Sequence, residues 1–201
     1  MRPEVRHLAR VLSEPLGLDL RFDLAIETDG EQHERDGGLG RARAVSRRLG
    51  RAALRALRIE LEGRAAVDDL AFPNPRYSLS HSRDTALAVA DATASLDGIG
   101  VDLEIDRNLN PHSARFFLTD RERRWLEGLD GARASEELLR LWCVKEAVFK
   151  ANPENHGTLL GDHALVAPAE PCGRARTREG RVVEYASWRE ARTCVAVAVC
   201  R

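Results

Sequence analysis

The stretch GIGVDLEID, residues 98–106, alternates apolar and polar side chains almost without a break. That periodicity belongs to a strand, so Ile99, Val101, Leu103 and Ile105 face one way while Asp102, Glu104 and Asp106 face the other. A chain carrying such a strand must lay one face on a core and leave three carboxylates in a row on the opposite face. Like charges in a row repel, Asp and Glu are poor strand formers, and no cation alternates with them. Either water solvates that face, or a divalent cation resolves the repulsion. Oxygen-only ligands at i and i+2 suit Mg²⁺, which fills its remaining positions with water and phosphate.

The nonapeptide WCVKEAVFK, residues 142–150, poses the complementary problem. Among 31 lysines and arginines, Lys145 and Lys150 are the only lysines. An ammonium is a compact point charge, whereas a guanidinium is a planar fork. In a helix expected over 135–151, Leu138, Leu141, Val144 and Val148 form one apolar stripe, with Trp142 and Phe149 beside it. Lys145, Glu146 and Lys150 are then at least partly buried, and a buried charge needs a partner or a metal. A Glu146–Lys150 pair at i, i+4 meets that need by itself. A glutamate completing a metal site, with a lysine reaching a phosphate oxygen beside it, also explains the residue types. At the mouth of another strand, SLSHS (78–82) sets Ser80, His81 and Ser82 together as anion contacts; no G-x-S-x-G elbow marks a serine nucleophile.

Around these motifs the element order reads helix, strands, helices, strands. An amphipathic helix with a basic face is expected over 40–58. A hairpin or meander follows across PNPRYSLSHSRDTALAVADATASLDGIGVDLEID. Pro111 starts a short helix through Leu118, and the capping box Thr119-x-x-Glu122 starts a second through Leu129. Strands return in ALVAP, RVVEYASW and TCVAVAVC, the last a loose echo of TALAVAD that hints at two similar halves. With 201 residues and 43% hydrophobic content there is enough material for a core. A net charge of -1 gives no global attraction to nucleic acid or anionic membrane. An apolar run as short as CVAVAVC cannot span a bilayer, and charges interrupt MRPEVRHLARVLSEPLG, so a cytoplasmic protein is expected. Cys143, Cys172, Cys194 and Cys200 lack metal-ligand spacing and read as reduced thiols.

Taken together and in this order, YSLSHS, GIGVDLE, ARFFLTDRE and LWCVKEAVFK resemble the 4'-phosphopantetheinyl transferases, specifically the larger single-chain type that activates nonribosomal peptide synthetases and siderophore pathways. The resemblance spans roughly residues 40–200. It implies an enzyme that moves the phosphopantetheine arm of coenzyme A to a serine of an apo acyl or peptidyl carrier protein and releases adenosine 3',5'-bisphosphate. By motif position, Asp102, Glu104 and Glu146 would bind Mg²⁺, with Mn²⁺ as the alternative. Glu146 would take the serine proton, directly or through a metal-bound water. Lys150 would neutralise the pyrophosphate, with Lys145 supporting the same site. Ser80 and His81 would contact coenzyme A phosphates.

Arg51, and after it Arg43, would reach the 3'-phosphate from the basic helix. The family often carries a G-K-P segment before its S-H-S motif; here Gly63-Arg64-Ala65 is the nearest counterpart, which makes Arg64 the matching residue. Asp106 lies outside the motif. The implied fold is α+β, two similar subdomains related by a pseudo-twofold, each a small antiparallel sheet packed on a long helix. Residues 1–100 would form the nucleotide side and 101–201 the metal side, in a monomer. Two other classes stay open: a non-catalytic carrier-protein binder, against which the full set of carboxylates and lysines argues, and a nucleic-acid binder, which would leave the acidic strand unexplained.

Overall fold

The first helix, α1 (Pro3–Ser13), is followed by strand β1 (Leu20–Ile26), the long helix α2 (Gly38–Glu62) and the hairpin β2 (Tyr77–Ser82) and β3 (Thr85–Asp91). Strand β4 (Gly98–Ile105) precedes a 3₁₀ turn (Pro111–Phe116), the helices α3 (Asp120–Glu127) and α4 (Gly131–Ala151), and the strands β5 (Ala164–Leu165), β6 (Cys172–Arg176), β7 (Val182–Glu190) and β8 (Thr193–Cys200). This computed structural model describes residues 3–27 and 38–201, with the side chains of residues 3 and 38–43 outside the description. Among the described residues no helix is long and apolar enough to cross a membrane.

Two antiparallel sheets result, one of order β1-β3-β2 and one of order β4-β8-β7-β6-β5. The two stretches that echo each other, TALAVAD and TCVAVAVC, are β3 and β8, each an interior strand of its sheet. Helix α2 covers the outer face of the first sheet, where Ala53, Leu54 and Leu57 pack on Tyr77, Ala88 and Ala90. Helix α4 covers the outer face of the second, where Leu141, Val144 and Val148 meet Tyr185, Ala196 and Ala198. The inner faces share a core in which Phe22, Leu87 and Val89 meet Ile99, Val101, Leu103 and Val197, closed at one side by Val5, Leu8 and Leu12 of α1. The fold is thus α+β, with a sheet on a long helix occurring twice.

Local chemistry explains most boundaries. Thr119 accepts from the Glu122 amide while Glu122 accepts from the Thr119 amide, the expected capping box, and Asp130 caps α4, which begins at Gly131, four residues before the expected start. Pro111 opens a 3₁₀ turn rather than an α-helix, with the Asn110 side chain accepting from the His112 amide. Helix α2 runs to Glu62, because Glu62 there accepts from Tyr77 Oη at 2.7 Å and pairs with Arg58 and Arg76. Helix α1, β1 and β6 lie outside the expected elements. One expectation needs correction: β4 does not continue a meander from β3. It leaves the first sheet and pairs with β8, from Gly98 opposite Cys200 to Ile105 opposite Thr193.

Glycine allows the contact that makes the site. A Cβ on Gly100 would lie 1.9 Å from the Ala147 carbonyl oxygen and 2.7 Å from the Ala151 amide nitrogen, and one on Gly98 would lie 2.0 Å from the Ala151 carbonyl oxygen. The backbone of α4 therefore rests directly on β4, which any side chain would push away. Gly100→Ala should cost about 3 kcal/mol, the upper range for overpacking, because the obstacle is backbone rather than a flexible side chain. In a chain of this size that is a fall in Tm of roughly 6–12 °C, measurable by calorimetry.

Candidate active site

With Gly98 and Gly100 under α4, the next residues on the same face of β4 are Asp102 and Glu104. The facing stripe of α4 carries Trp142, Glu146 and Lys150, which share one side of the helix through their i, i+4 spacing. Lys150 Nζ donates to Asp102 Oδ1 at 2.9 Å and to the Val101 carbonyl at 3.0 Å. Trp142 Nε1 donates to Glu104 Oε1 at 3.0 Å. Arg107, just past β4, pairs with Glu104 and stacks 4.6 Å from the Trp142 ring centroid. Asp102 and Glu104 are buried, and Glu146 and Lys150 are half-buried.

The electrostatics follow from that packing. Burial pushes the Glu104 carboxyl above its ordinary range, the negative charge of Asp102 adds to the push, and Arg107 and Trp142 oppose it. Burial likewise raises Glu146, with Lys150 opposing and Asp102 reinforcing the shift. Both groups are therefore costly as anions in the protein alone. Their donors are oxygens only, the set a hard divalent cation selects. Asp102 Oδ2 is buried and has no hydrogen-bond partner among the described residues. By donor type and the unpartnered Oδ2, Asp102 and Glu104 suit Mg²⁺, with Glu146 approaching them from α4. They line a seam rather than a closed cage, since among the described residues no three Asp, Glu, His or Cys side chains gather into a preformed cluster.

Lys145 stands elsewhere, which corrects its expected place beside the phosphate. It follows Val144 and precedes Glu146 on α4, about 100° around the helix from each. Its side chain is wholly buried against Glu122, Nζ 2.8 Å from Oε2, and Nζ also donates to the His163 carbonyl. Burial lowers its pKa while Glu122 raises it. Glu122 accepts in addition from the amides of Thr119 and Leu165, both at 2.7 Å. This lysine therefore ties α4 to α3 and to the start of β5.

Ser80 and His81 also part company, because neighbours on a strand point to opposite faces. Ser80 is buried on the inner face and donates to Asp102 Oδ1 at 2.9 Å. His81 is exposed on the face that carries α2. Along α2, Arg47, Arg48, Arg51 and Arg55 line a cavity of about 530 Å³ with Ala44 and Ala52. Arg51 pairs there with Asp68, and Arg48 pairs with Glu27 at 3.0 Å. Arg64 is exposed in the segment after α2, where its charge helps lower the Asp69 pKa after the larger contribution of Arg58. The side chain of Arg43 lies outside the described residues.

A family model described as the 4'-phosphopantetheinyl transferase superfamily matches residues 98–198, half of the chain and all of the β4–α4 site. The chain belongs to that superfamily. Among solved structures it is similar to the holo-[acyl-carrier-protein] synthase of Thermotoga maritima, at 17% identity over 53% of this chain and 64% of that one, with a TM-score of 0.40. It is also similar to the acyl carrier protein synthase of Mycobacterium tuberculosis, at 25% identity over 53% of this chain and 98% of that one, with a TM-score of 0.37. The match thus spans less than two thirds of the Thermotoga protein's length. No protein of curated function matches the chain.

Burial of Glu104 and Glu146 carries a testable cost. A carboxyl whose folded pKa exceeds its unfolded value binds more protons folded than unfolded, so stability falls as pH rises through that window. For Glu104 and Glu146 the window opens at the ordinary value of 4.5 and extends upward. Metal-free Glu146→Gln should accordingly have a higher Tm than the native protein at pH 7, and the difference should shrink toward pH 5. Calorimetry in a chelating buffer measures both.

No motif marks Arg107 or the Ser78 hydroxyl, which accepts from the Val101 amide; Ser82 is expected only as an anion contact beside Ser80 and His81, and Trp142 only as part of an apolar stripe. The i, i+4 series from Trp142 through Glu146 to Lys150 was a usable signal for the tryptophan. Arg107 had none, since its approach depends on the chain turning at Asp106, where φ is +51°.

Proposed function

We propose that this protein transfers the 4'-phosphopantetheine arm of coenzyme A to a serine of an apo acyl or peptidyl carrier protein and releases adenosine 3',5'-bisphosphate. The observation that carries the reading is the juxtaposition of Asp102, Glu104, Glu146 and Lys150 along the β4–α4 seam, with Asp102 Oδ2 lacking a hydrogen-bond partner among the described residues. Mg²⁺ held by the three carboxylates would polarise the pyrophosphate of coenzyme A and offset its charge. Mn²⁺ has the same oxygen preference.

The chain's own residues do the rest. Glu146 accepts the proton of the carrier serine hydroxyl from its half-buried place on α4 beside Lys150. The serine oxygen forms a bond to the phosphorus that bears the pantetheine arm. The bond from that phosphorus to the bridging oxygen breaks, and the bridging oxygen leaves with the nucleotide. Lys150 neutralises negative charge developing there, and no covalent enzyme intermediate is required.

Residues 1–100 form the nucleotide half in this reading and 101–201 the metal half. The arginine cavity on α2, with Arg51 foremost and Arg43 and Arg64 as further basic contributors, takes the 3'-phosphate, and His81 reaches the nucleotide phosphates from the same face. The protein is of the larger single-chain type, acts as a monomer in the cytoplasm and serves carriers of secondary metabolism. The support is that a second sheet-and-helix unit lies before the matched region, in residues 3–91.

The test is to incubate purified protein with coenzyme A, Mg²⁺ and an apo peptidyl carrier domain and to weigh the carrier by intact mass spectrometry. A gain of one phosphopantetheine arm on the carrier serine is expected. No gain with acyl and peptidyl carriers alike, despite coenzyme A binding, would leave a non-catalytic carrier binder as the reading.

A further inference from the structure

We infer that Ser80 is a positioning residue that presents Asp102 to the cation, rather than a contact for coenzyme A; this rests on the metal-site reading of the carboxylate row. The observation is the seam where the two sheets meet edge to edge. Strand β2 is one edge of its sheet and β4 one edge of the other. In place of a backbone ladder, the inner-face serines of β2 reach across. Ser78 Oγ accepts from the Val101 amide at 3.0 Å, and Ser82 Oγ accepts from the Ile105 amide at 3.1 Å, each across 23 residues of sequence. These hydroxyls satisfy edge amides that a strand carbonyl would otherwise take.

Ser80, midway between them, does something different. Its hydroxyl donates to the carboxylate, Asp102 Oδ1, at 2.9 Å. Lys150 donates to the same oxygen at 2.9 Å. Two donors thus converge on Oδ1 while Oδ2 has none among the described residues. The terminal torsion of an aspartate is broad, so its partners decide which oxygen faces the site. Ser80 and Lys150 hold the group by one oxygen and leave the other for a cation. The same strand touches the second carboxylate, since Ser82 Oγ lies 3.5 Å from Glu104 Oε2. Ser80 is itself 5% exposed, which leaves it little surface for a substrate phosphate.

Mn²⁺ titration of the purified protein without coenzyme A, with free ion followed by electron paramagnetic resonance, tests this directly. Ser80→Ala should weaken Mn²⁺ binding by about tenfold or more, the range for loss of a hydrogen bond that orients a metal ligand. Ser80→Thr, which keeps the hydroxyl, should bind near the native value. Ser78→Ala loses a bond of similar geometry to backbone alone; it should lower Tm and leave Mn²⁺ affinity unchanged. Coenzyme A affinity in a chelating buffer should be the same for Ser80→Ala and native protein. If the alanine variant does not fold, Ser80→Cys, a weaker donor of similar size, should give an intermediate affinity. Native Mn²⁺ affinity in the alanine or cysteine variant would overturn the proposal, as would loss of metal-free coenzyme A binding in either. A native protein that takes up no Mn²⁺ would overturn the metal reading itself.

Discussion

Glu146→Gln should lower kcat for carrier modification by about 10²–10⁴-fold while leaving the KM for coenzyme A near its native value. Glutamine keeps the shape of the side chain and its place on the Trp142–Glu146–Lys150 stripe, and it removes the capacity to accept a proton at that point. It also removes a carboxylate that burial and Asp102 make unfavourable as an anion. The same substitution should therefore raise metal-free stability and abolish most of the rate, the pattern expected where a site holds charge for function at a cost in stability. Asp102 and Glu104 remain to hold the cation and Lys150 to meet the pyrophosphate, so the loss belongs in kcat rather than in coenzyme A binding. Steady-state kinetics at saturating carrier, together with a pH profile, separate these effects. A variant that keeps a tenth or more of native kcat would place the proton acceptor elsewhere.

Lys145→Met should act in the opposite sense, on stability and not on chemistry. Lys145 and Glu122 are both wholly inaccessible, and removing the ammonium leaves a carboxylate inside the protein with the Thr119 and Leu165 amides as its donors among the described residues. Breaking such a pair on one side costs about 3–5 kcal/mol, while replacing both members is far milder. In a chain of this length the single variant should lose roughly 6–20 °C in Tm. Glu122→Gln with Lys145→Met should recover part of that, because the buried charge is gone and the glutamine oxygen still accepts from one backbone amide, although its NH2 group faces the other. Urea unfolding of the native protein, Lys145→Met, Glu122→Gln alone and the double variant measures the cycle. At temperatures where Lys145→Met stays folded, its kcat should match the native enzyme's. A stable variant with a collapsed kcat would return Lys145 to the phosphate site.

These two neighbours on one helix mark the reach of sequence reasoning for this protein. The alternation in GIGVDLE fixes which residues of β4 share a face, and the i, i+4 spacing fixes which residues of α4 do, so the meeting of Asp102, Glu104, Glu146 and Lys150 was legible. Which partner a buried lysine takes was not, because Glu122 lies on another helix and reaches Lys145 only through the packing of α3 against α4. A strand's alternation also holds Ser80 and His81 apart, although their adjacency in a shared motif invites one common role. Strand β4 leaving the meander for the second sheet was hidden for a different reason: its inner face is as apolar as that of β3, and pairing with β8 spans almost the whole second half of the chain. Helix α1 had a readable signal in Val5, Leu8 and Leu12.

The most direct test of the central claim is a single-turnover experiment with enzyme in excess over coenzyme A, in the presence of Mg²⁺ and apo carrier. Adenosine 3',5'-bisphosphate is quantified by chromatography, and modified carrier is counted by mass from the same sample. One nucleotide should be released for each carrier serine modified, with both products lost together in Glu146→Gln. Nucleotide released without modified carrier, or native yields of both from the variant, would contradict the claim.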